Sequence, residues 1–228
     1  ISPKWSPDGR QLTYTSYRDG NPDIFVTDLL NGSLKKLVSF SGLNISPSWS
    51  PSGDQMAFAT TKDGNAEIYV TDKEAKRFKR LTFNQADDIS PSWSPTGNEL
   101  VFTSDRGGNP QIYIMGADGT NARRLTFEGD YNTSPVWSPK GDWIAYTCRK
   151  EGLLKICRIR PDGSEITQLT TGGHDDEAPT WSPDGRHISF ASNRENHRAI
   201  YMMNMDGSDI ERLTFDEVNN SSPSWSPR

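Results

Sequence analysis

The sequence predicts an all-β propeller, and three observations carry that prediction. The pentad Trp-Ser-Pro-x-Gly starts at Trp5 and returns at Trp49, Trp93, Trp137 and Trp181, before a last Trp-Ser-Pro at Trp225. The spacing is 44 residues at every step, without an insertion or deletion. Inside each period, short alternating apolar runs are separated by turn clusters of Gly, Pro, Asn and Asp. A fixed period in the forties with a Trp signature marks four-stranded blades around a channel. The expected architecture is a β-propeller of five complete four-stranded 44-residue repeats plus a spare C-terminal inner strand. It forms a five-bladed ring, or most of a six-bladed one. Residues 1–228 read as a single domain and, with no initiator Met or signal peptide, as a piece of a longer chain.

The third repeat serves for all. Ser90-Pro91-Ser92-Trp93 reads as the innermost strand, because Pro cannot donate to a ladder and is confined to a sheet edge. Ser94-Pro95-Thr96-Gly97 fits a type I turn, with Ser first, Pro second and Gly fourth. The second strand is Glu99 to Ser104, with Leu100 and Phe102 on one face. Its alternate positions, Thr13, Ala57, Val101, Ala145 and Ser189 across the repeats, are small, as close stacking of the next blade requires. Asp105 to Pro110 turns the chain into the third strand, Gln111 to Ile114, whose Ile recurs as Ile24, Ile68, Ile156 and Ile200. Ala117-Asp118-Gly119-Thr120 turns it again, into a fourth strand ending on Leu125-Thr126-Phe127.

Composition removes several classes of function. A formal net charge of -5 opposes a general grip on nucleic acid, which needs a basic surface. No apolar run reaches the length of a membrane span. Cys148 and Cys157 are the only cysteines. They have no metal-ligand spacing and read as two small core residues, since Cys157 stands in the column of Phe25, Tyr69, Tyr113 and Tyr201. A bridge between them would have to run diagonally across the hairpin.

Strand direction alternates through a blade, so the fourth-to-first connection and the second-to-third loop share one face. Asn44, Asp88, Asn132, Asp176 and Asn220, five residues before each Trp, are expected to circle the channel mouth there. Arg18, Lys62, Arg106, Lys150 and Arg194, thirteen residues after each Trp, form a basic ring further out. The plain reading of the first ring is turn chemistry, in which Asn and Asp bond their own backbone. The functional reading is an oxygen-lined mouth for water, a cation or a partner's donors. The basic ring is expected to pair with acids of an adjacent blade, such as Asp87-Asp88 or Asp175-Asp176. Residues that break the symmetry on this face, Tyr131, His174, Glu177, Asn196 and His197, are the candidates for contacting a partner.

Ser-Pro-x-Trp-Ser-Pro-x-Gly, then Phe-Thr-Ser-Asp-Arg-Gly-Gly-Asn-Pro-Gln-Ile-Tyr-Ile-Met-Gly-Ala-Asp-Gly-Thr and Arg-Arg-Leu-Thr-Phe, resembles the TolB-type propeller repeat. The likeness covers the whole chain, Glu128 to Pro135 included. It implies a periplasmic, non-enzymatic scaffold of the Tol–Pal system of Gram-negative cell envelopes, whose propeller face binds the peptidoglycan-associated lipoprotein, Pal. It also implies six blades, the last completed by the C-terminal strand, and an N-terminal domain. This sequence departs from both. A closed five-bladed ring is the preferred expectation, since a folded chain must bury its end faces; an open arc is expected to self-associate.

An enzyme is not expected. Gly-x-Ser-x-Gly, Gly-x-x-x-x-Gly-Lys and His-Glu-x-x-His are all missing from the sequence. His187 falls inside a strand, while His174 and His197 fall in loops with no third ligand implied by spacing. No catalytic residue, cofactor or metal is therefore assigned. Two alternatives stay open: an accessory propeller of a prolyl-oligopeptidase-like peptidase, and a trimmed or engineered propeller without a function of its own.

Overall fold

The computed structural model describes residues 1–195 and 197–227, so Asn196 lies outside the described residues. Twenty strands form five antiparallel sheets of four, each following chain order from the channel outward. Blade one holds β1 (Lys4–Trp5), β2 (Gln11–Asp19), β3 (Asn21–Asp28) and β4 (Leu34–Val38). Blade two holds β5 (Asn44–Trp49), β6 (Gln55–Thr60), β7 (Glu67–Asp72) and β8 (Phe78–Arg80). Blade three holds β9 (Asp88–Trp93), β10 (Glu99–Ser104), β11 (Gln111–Gly116) and β12 (Arg123–Arg124). Blade four holds β13 (Asn132–Trp137), β14 (Ile144–Lys150), β15 (Leu153–Ile159) and β16 (Thr167–Gln168). Blade five holds β17 (Asp176–Trp181), β18 (His187–Ser192), β19 (Ala199–Asn204) and β20 (Glu211–Arg212). The expected five-bladed propeller with a spare inner segment is what forms.

The repeated pentad works as one device. Gly97 N–H donates to Ser94 O at 2.9 Å, closing the expected turn, while Ser94 Oγ accepts the N–H of Glu99 at 3.1 Å. The Trp reaches back to the preceding blade: Trp93 Nε1 donates to Ser48 O at 3.2 Å, and Trp181 Nε1 to Val136 O at 3.1 Å. A buried indole N–H calls for such a partner, which favours Trp over Phe at these two places, while Trp137 Nε1 is buried without one. Four apolar clusters lie between consecutive blades, as where Leu81 of blade two meets Leu100 and Phe102 of blade three.

One local feature departs from the sequence pattern. The inner strands of blades two to five bulge where Ser46, Ser90, Ser134 or Ala178 adopts a left-handed backbone, with φ of 54–56°. In blade three, Ile89 stands opposite Thr103 and Ser92 opposite Val101, which leaves Ser90 and Pro91 against the single residue Phe102. Where the preceding blade offers a threonine, the left-handed residue aims its N–H there: Ser134 donates to Thr103 Oγ1 at 3.1 Å and Ala178 to Thr147 Oγ1 at 3.2 Å. That bond offsets the backbone strain of a non-Gly residue in this region.

The six Ser/Ala-Pro segments, residues 222–227 included, line a central channel of about 390 Å³. The terminal segment takes its place by the contacts every blade uses. Asn220 N–H donates to Arg198 O at 2.7 Å, as Asn132 N–H does to Pro110 O at 2.9 Å. On its other side Pro227 lies against Gly9, as Pro51 lies against Gly97. The segment thus stands between blades five and one, and the apolar faces on either side of it stay partly open. Leu213 is 44% exposed, whereas Leu125 in the same column is 1% exposed. Leu12, Tyr14 and Ile200 are likewise only half-buried or at the edge of burial.

Cys148 and Cys157 form a disulfide with a Cα–Cα distance of 5.9 Å, which corrects the reading of two unlinked core thiols. Tyr146 pairs with Cys157 and Cys148 with Lys155, so the bridge does run diagonally. It holds β14 to β15 where other blades use a tyrosine: Tyr69 and Tyr201 donate to Asp63 and Glu195 in the loop above them. Replacing both cysteines with alanine is expected to lower the unfolding free energy by about 2–3 kcal/mol, the loop-closure value for so short a ring. Urea denaturation of the double variant checks this.

Candidate functional site

The residues singled out from sequence do not share one role, and among the described residues none of them lines the central channel. Asn44, Asp88 and Asp176 are 0% exposed and Asn132 is 3% exposed, so they serve the joints between blades. Asn44 Nδ2 donates to Asp23 Oδ1 of blade one at 3.1 Å, and Thr60 Oγ1 donates to Asn44 Oδ1 at 2.9 Å. Asn132 Nδ2 donates to Gln111 Oε1 of blade three at 2.9 Å. Asn220 is half-buried and donates to Asp216. Local bonds accompany these: Asn44 Nδ2 donates to Phe40 O at 2.8 Å and Asn132 Nδ2 to Glu128 O at 2.9 Å, so the same side chains brace their own turns and reach the preceding blade.

The basic ring divides in two. Arg106 pairs with Asp88 at 2.8 Å and Arg194 with Asp176 at 3.0 Å. The acids are those expected, but they belong to the same blade as their arginines, not to an adjacent one. Arg18 and Lys62 pair instead with their chain neighbours Asp19 and Asp63, and Lys150 lies 3.9 Å from Glu128. Lys62 also sits over the Tyr69 ring.

Among the symmetry-breaking candidates, Tyr131 is half-buried under Arg149, whose guanidinium lies 4.5 Å from the ring centre. His174 Nε2 lies 3.4 Å from the buried Asp176 carboxylate, yet burial holds its imidazole below the ordinary histidine range. Glu177 pairs with Arg198 at 2.7 Å, and His197 Nε2 lies 3.0 Å from Arg212.

The strongest exposed feature of this face lies outside those candidates. Phe83, Phe127 and Phe215, the last residues of the Leu-Thr-Phe triplets, are 74%, 73% and 75% exposed. Each is backed by the arginine three residues earlier: Arg80 over Phe83 at 4.8 Å, Arg124 over Phe127 at 5.1 Å, Arg212 over Phe215 at 5.3 Å. The arginines are anchored, since Arg80 and Arg212 also bond Glu67 and Glu195. The recurring Arg-x-x-Phe is visible in the sequence, but it reads there as the end of an outer strand. Rigid, solvent-facing aromatics with a stacked cation present apolar area at low entropic cost to a protein surface.

The family description TolB beta propeller domain matches residues 1–228. A Tol-Pal system protein TolB of Syntrophus aciditrophicus is 62% identical over 40 residues, which are 18% of this chain and 9% of that protein. The crystal structure of TolB from Acinetobacter baumannii superposes with a TM-score of 0.88 at 32% identity, over 100% of this chain and 57% of that one. A putative TolB from Agrobacterium tumefaciens gives 0.84 at 28% identity, over 99% of this chain and 85% of that one. This chain thus spans less than two thirds of the Acinetobacter protein. A puromycin-hydrolyzing peptidase of Mycobacterium tuberculosis, at 17% identity and a TM-score of 0.71, shares the fold alone.

Proposed function

Because the chain belongs to the TolB beta propeller family, we propose that it is a non-enzymatic protein-binding scaffold whose channel-mouth face docks a protein partner. By the family likeness that partner is the peptidoglycan-associated lipoprotein, and the compartment is the periplasm. The observation that carries this reading is the set of three exposed phenylalanines, each stacked against an arginine. The disulfide supports an oxidising compartment, since such bridges persist outside the cytosol. No helix among the described residues is long and apolar enough to cross a membrane.

Calorimetric titration with purified Pal tests the proposal. The triple variant F83A/F127A/F215A is expected to bind at least about 30-fold more weakly, the loss of two or more aromatic contacts of about 1–2 kcal/mol each. Leu30→Ala, at a 78% exposed position on the opposite end, is expected to leave affinity unchanged. Equal affinity of the triple variant and the parent would remove the mouth face as the docking surface.

A further inference from the structure

The joints between blades share a plan that one of them breaks. At each joint, the residue just before the recurring Ile of the third strand of one blade corresponds to the residue that opens the inner strand of the next. At the first joint these are Asp23 and Asn44, and at the third Gln111 and Asn132, joined by amide donors at 3.1 and 2.9 Å. At the fourth they are Lys155 and Asp176, and the lysine bonds His174 O. At the second joint they are Glu67 and Asp88, two acids, neither of which can supply a donor to the other while both are ionised.

Both acids are buried, Glu67 at 1% and Asp88 at 0% exposure. Glu67 Oε1 accepts from Arg80 at 2.8 Å, from the Asn84 N–H at 3.0 Å and from Asn65 Nδ2 at 3.2 Å. Asp88 Oδ2 accepts from Asn84 Nδ2 at 2.7 Å and Arg106 at 2.8 Å. Asn84 therefore holds both carboxyl groups. The second oxygen of each, Glu67 Oε2 and Asp88 Oδ1, is buried without a hydrogen-bond partner. The other charges around the pair are already engaged. Asp63 sits 3.6 Å from Arg80 and bonds Lys62, while Asp87 accepts the Ala66 N–H and donates its own N–H to Asp105.

We propose that the Glu67 and Asp88 carboxyl groups, both buried and both held by Asn84, keep one proton between them, which makes the joint between blades two and three a proton-binding latch. Two buried carboxylates held by one asparagine cannot both ionise without cost, and one proton supplies the donor that an amide supplies at the first and third joints. Burial pushes the Asp88 carboxyl above the usual carboxylate range, against the opposing pull of Ser104 and Arg106. A carboxyl raised in the folded state gives stability that is full at low pH and is lost as pH rises toward and through its folded pKa.

The test compares pH profiles of urea unfolding for the parent, Asp88→Asn and Glu67→Gln. The first substitution reproduces the amide donor of the first and third joints. Relative to Asp88→Asn, the folding constant of the parent is expected to fall by up to about tenfold per pH unit, which is about 1.4 kcal/mol, between the ordinary carboxylate pKa of about 4 and the raised one. Glu67→Gln is expected to flatten the profile in the same way. Should either variant fail to fold, carboxyl carbon NMR of the parent carries the test: one of the two groups stays protonated above the usual range. Parallel profiles for parent and variants, or two carboxyls titrating in the usual range, overturn the proposal. So does stabilisation of the parent alone by added calcium or magnesium with no dependence on acid, since a cation would then hold the place.

Discussion

Leu125→Ala is expected to lower the unfolding free energy by about 2–5 kcal/mol, whereas Leu213→Ala, the same change in the same column, lowers it by less than about 1. The difference is burial. Leu125 is 1% exposed and packs into the cluster between blades three and four, beside Ile144 and Tyr146. Truncating it removes contacts on all sides and leaves a cavity whose walls are held by two sheets. Leu213 is 44% exposed, beside the terminal segment, and water replaces most of what its loss vacates. Urea denaturation of both variants measures the contrast directly. Equal losses would mean that the fifth blade's outer face is covered in solution.

Gly119→Ala is expected to cost about 3 kcal/mol, and Gly152→Ala only about 1–2. Both glycines have positive φ, +91° and +82°, so both variants carry the strain of a left-handed L-residue. The surroundings separate them. A Cβ on Gly119 would lie 2.8 Å from the carbonyl oxygen of Leu81 in the preceding blade, and backbone cannot swing aside as a side chain can. A Cβ on Gly152 meets nothing within 4 Å, at the tip of the β14–β15 hairpin. The thermal midpoints of the two variants give the test. Equal losses would show that blades two and three separate easily enough to admit a methyl group.

The repeat makes the blades legible. The second strand of the third blade runs from Glu99 to Ser104 as expected, because alternating apolar residues bounded by turns specify a strand and its two faces. The outer strands are shorter than the pattern suggests: β12 holds only Arg123–Arg124, although Leu125 N–H still donates to Ile112 O at 2.8 Å. An outer strand has one neighbour, so sequence preference and pairing part company there. The bulge at Ser134 is hidden because serine carries no mark of a left-handed backbone; its support comes from Thr103 of the adjoining blade. The bridge between Cys148 and Cys157 escapes a reading by spacing because a diagonal pair depends on local twist, which spacing does not report. Several bonds of the buried Asn and Asp residues reach partners 16–21 residues away in the chain, as from Asn44 to Asp23, and no short pattern encodes such contacts.

The proline-lined channel also limits how anything can enter it. Strands β5, β9, β13 and β17 each pair on one side only, leaving their inner edges facing the lumen. Such edges are ordinarily templates on which an incoming extended peptide adds itself as a further strand. Here Pro47, Pro91, Pro135 and Pro179 remove an amide donor from each edge, and the bulges at Ser46, Ser134 and Ala178 turn a further N–H toward a neighbouring blade. A tail reaching into the lumen finds no continuous ladder to extend. The lumen thus offers side chains rather than a sheet edge to whatever meets it.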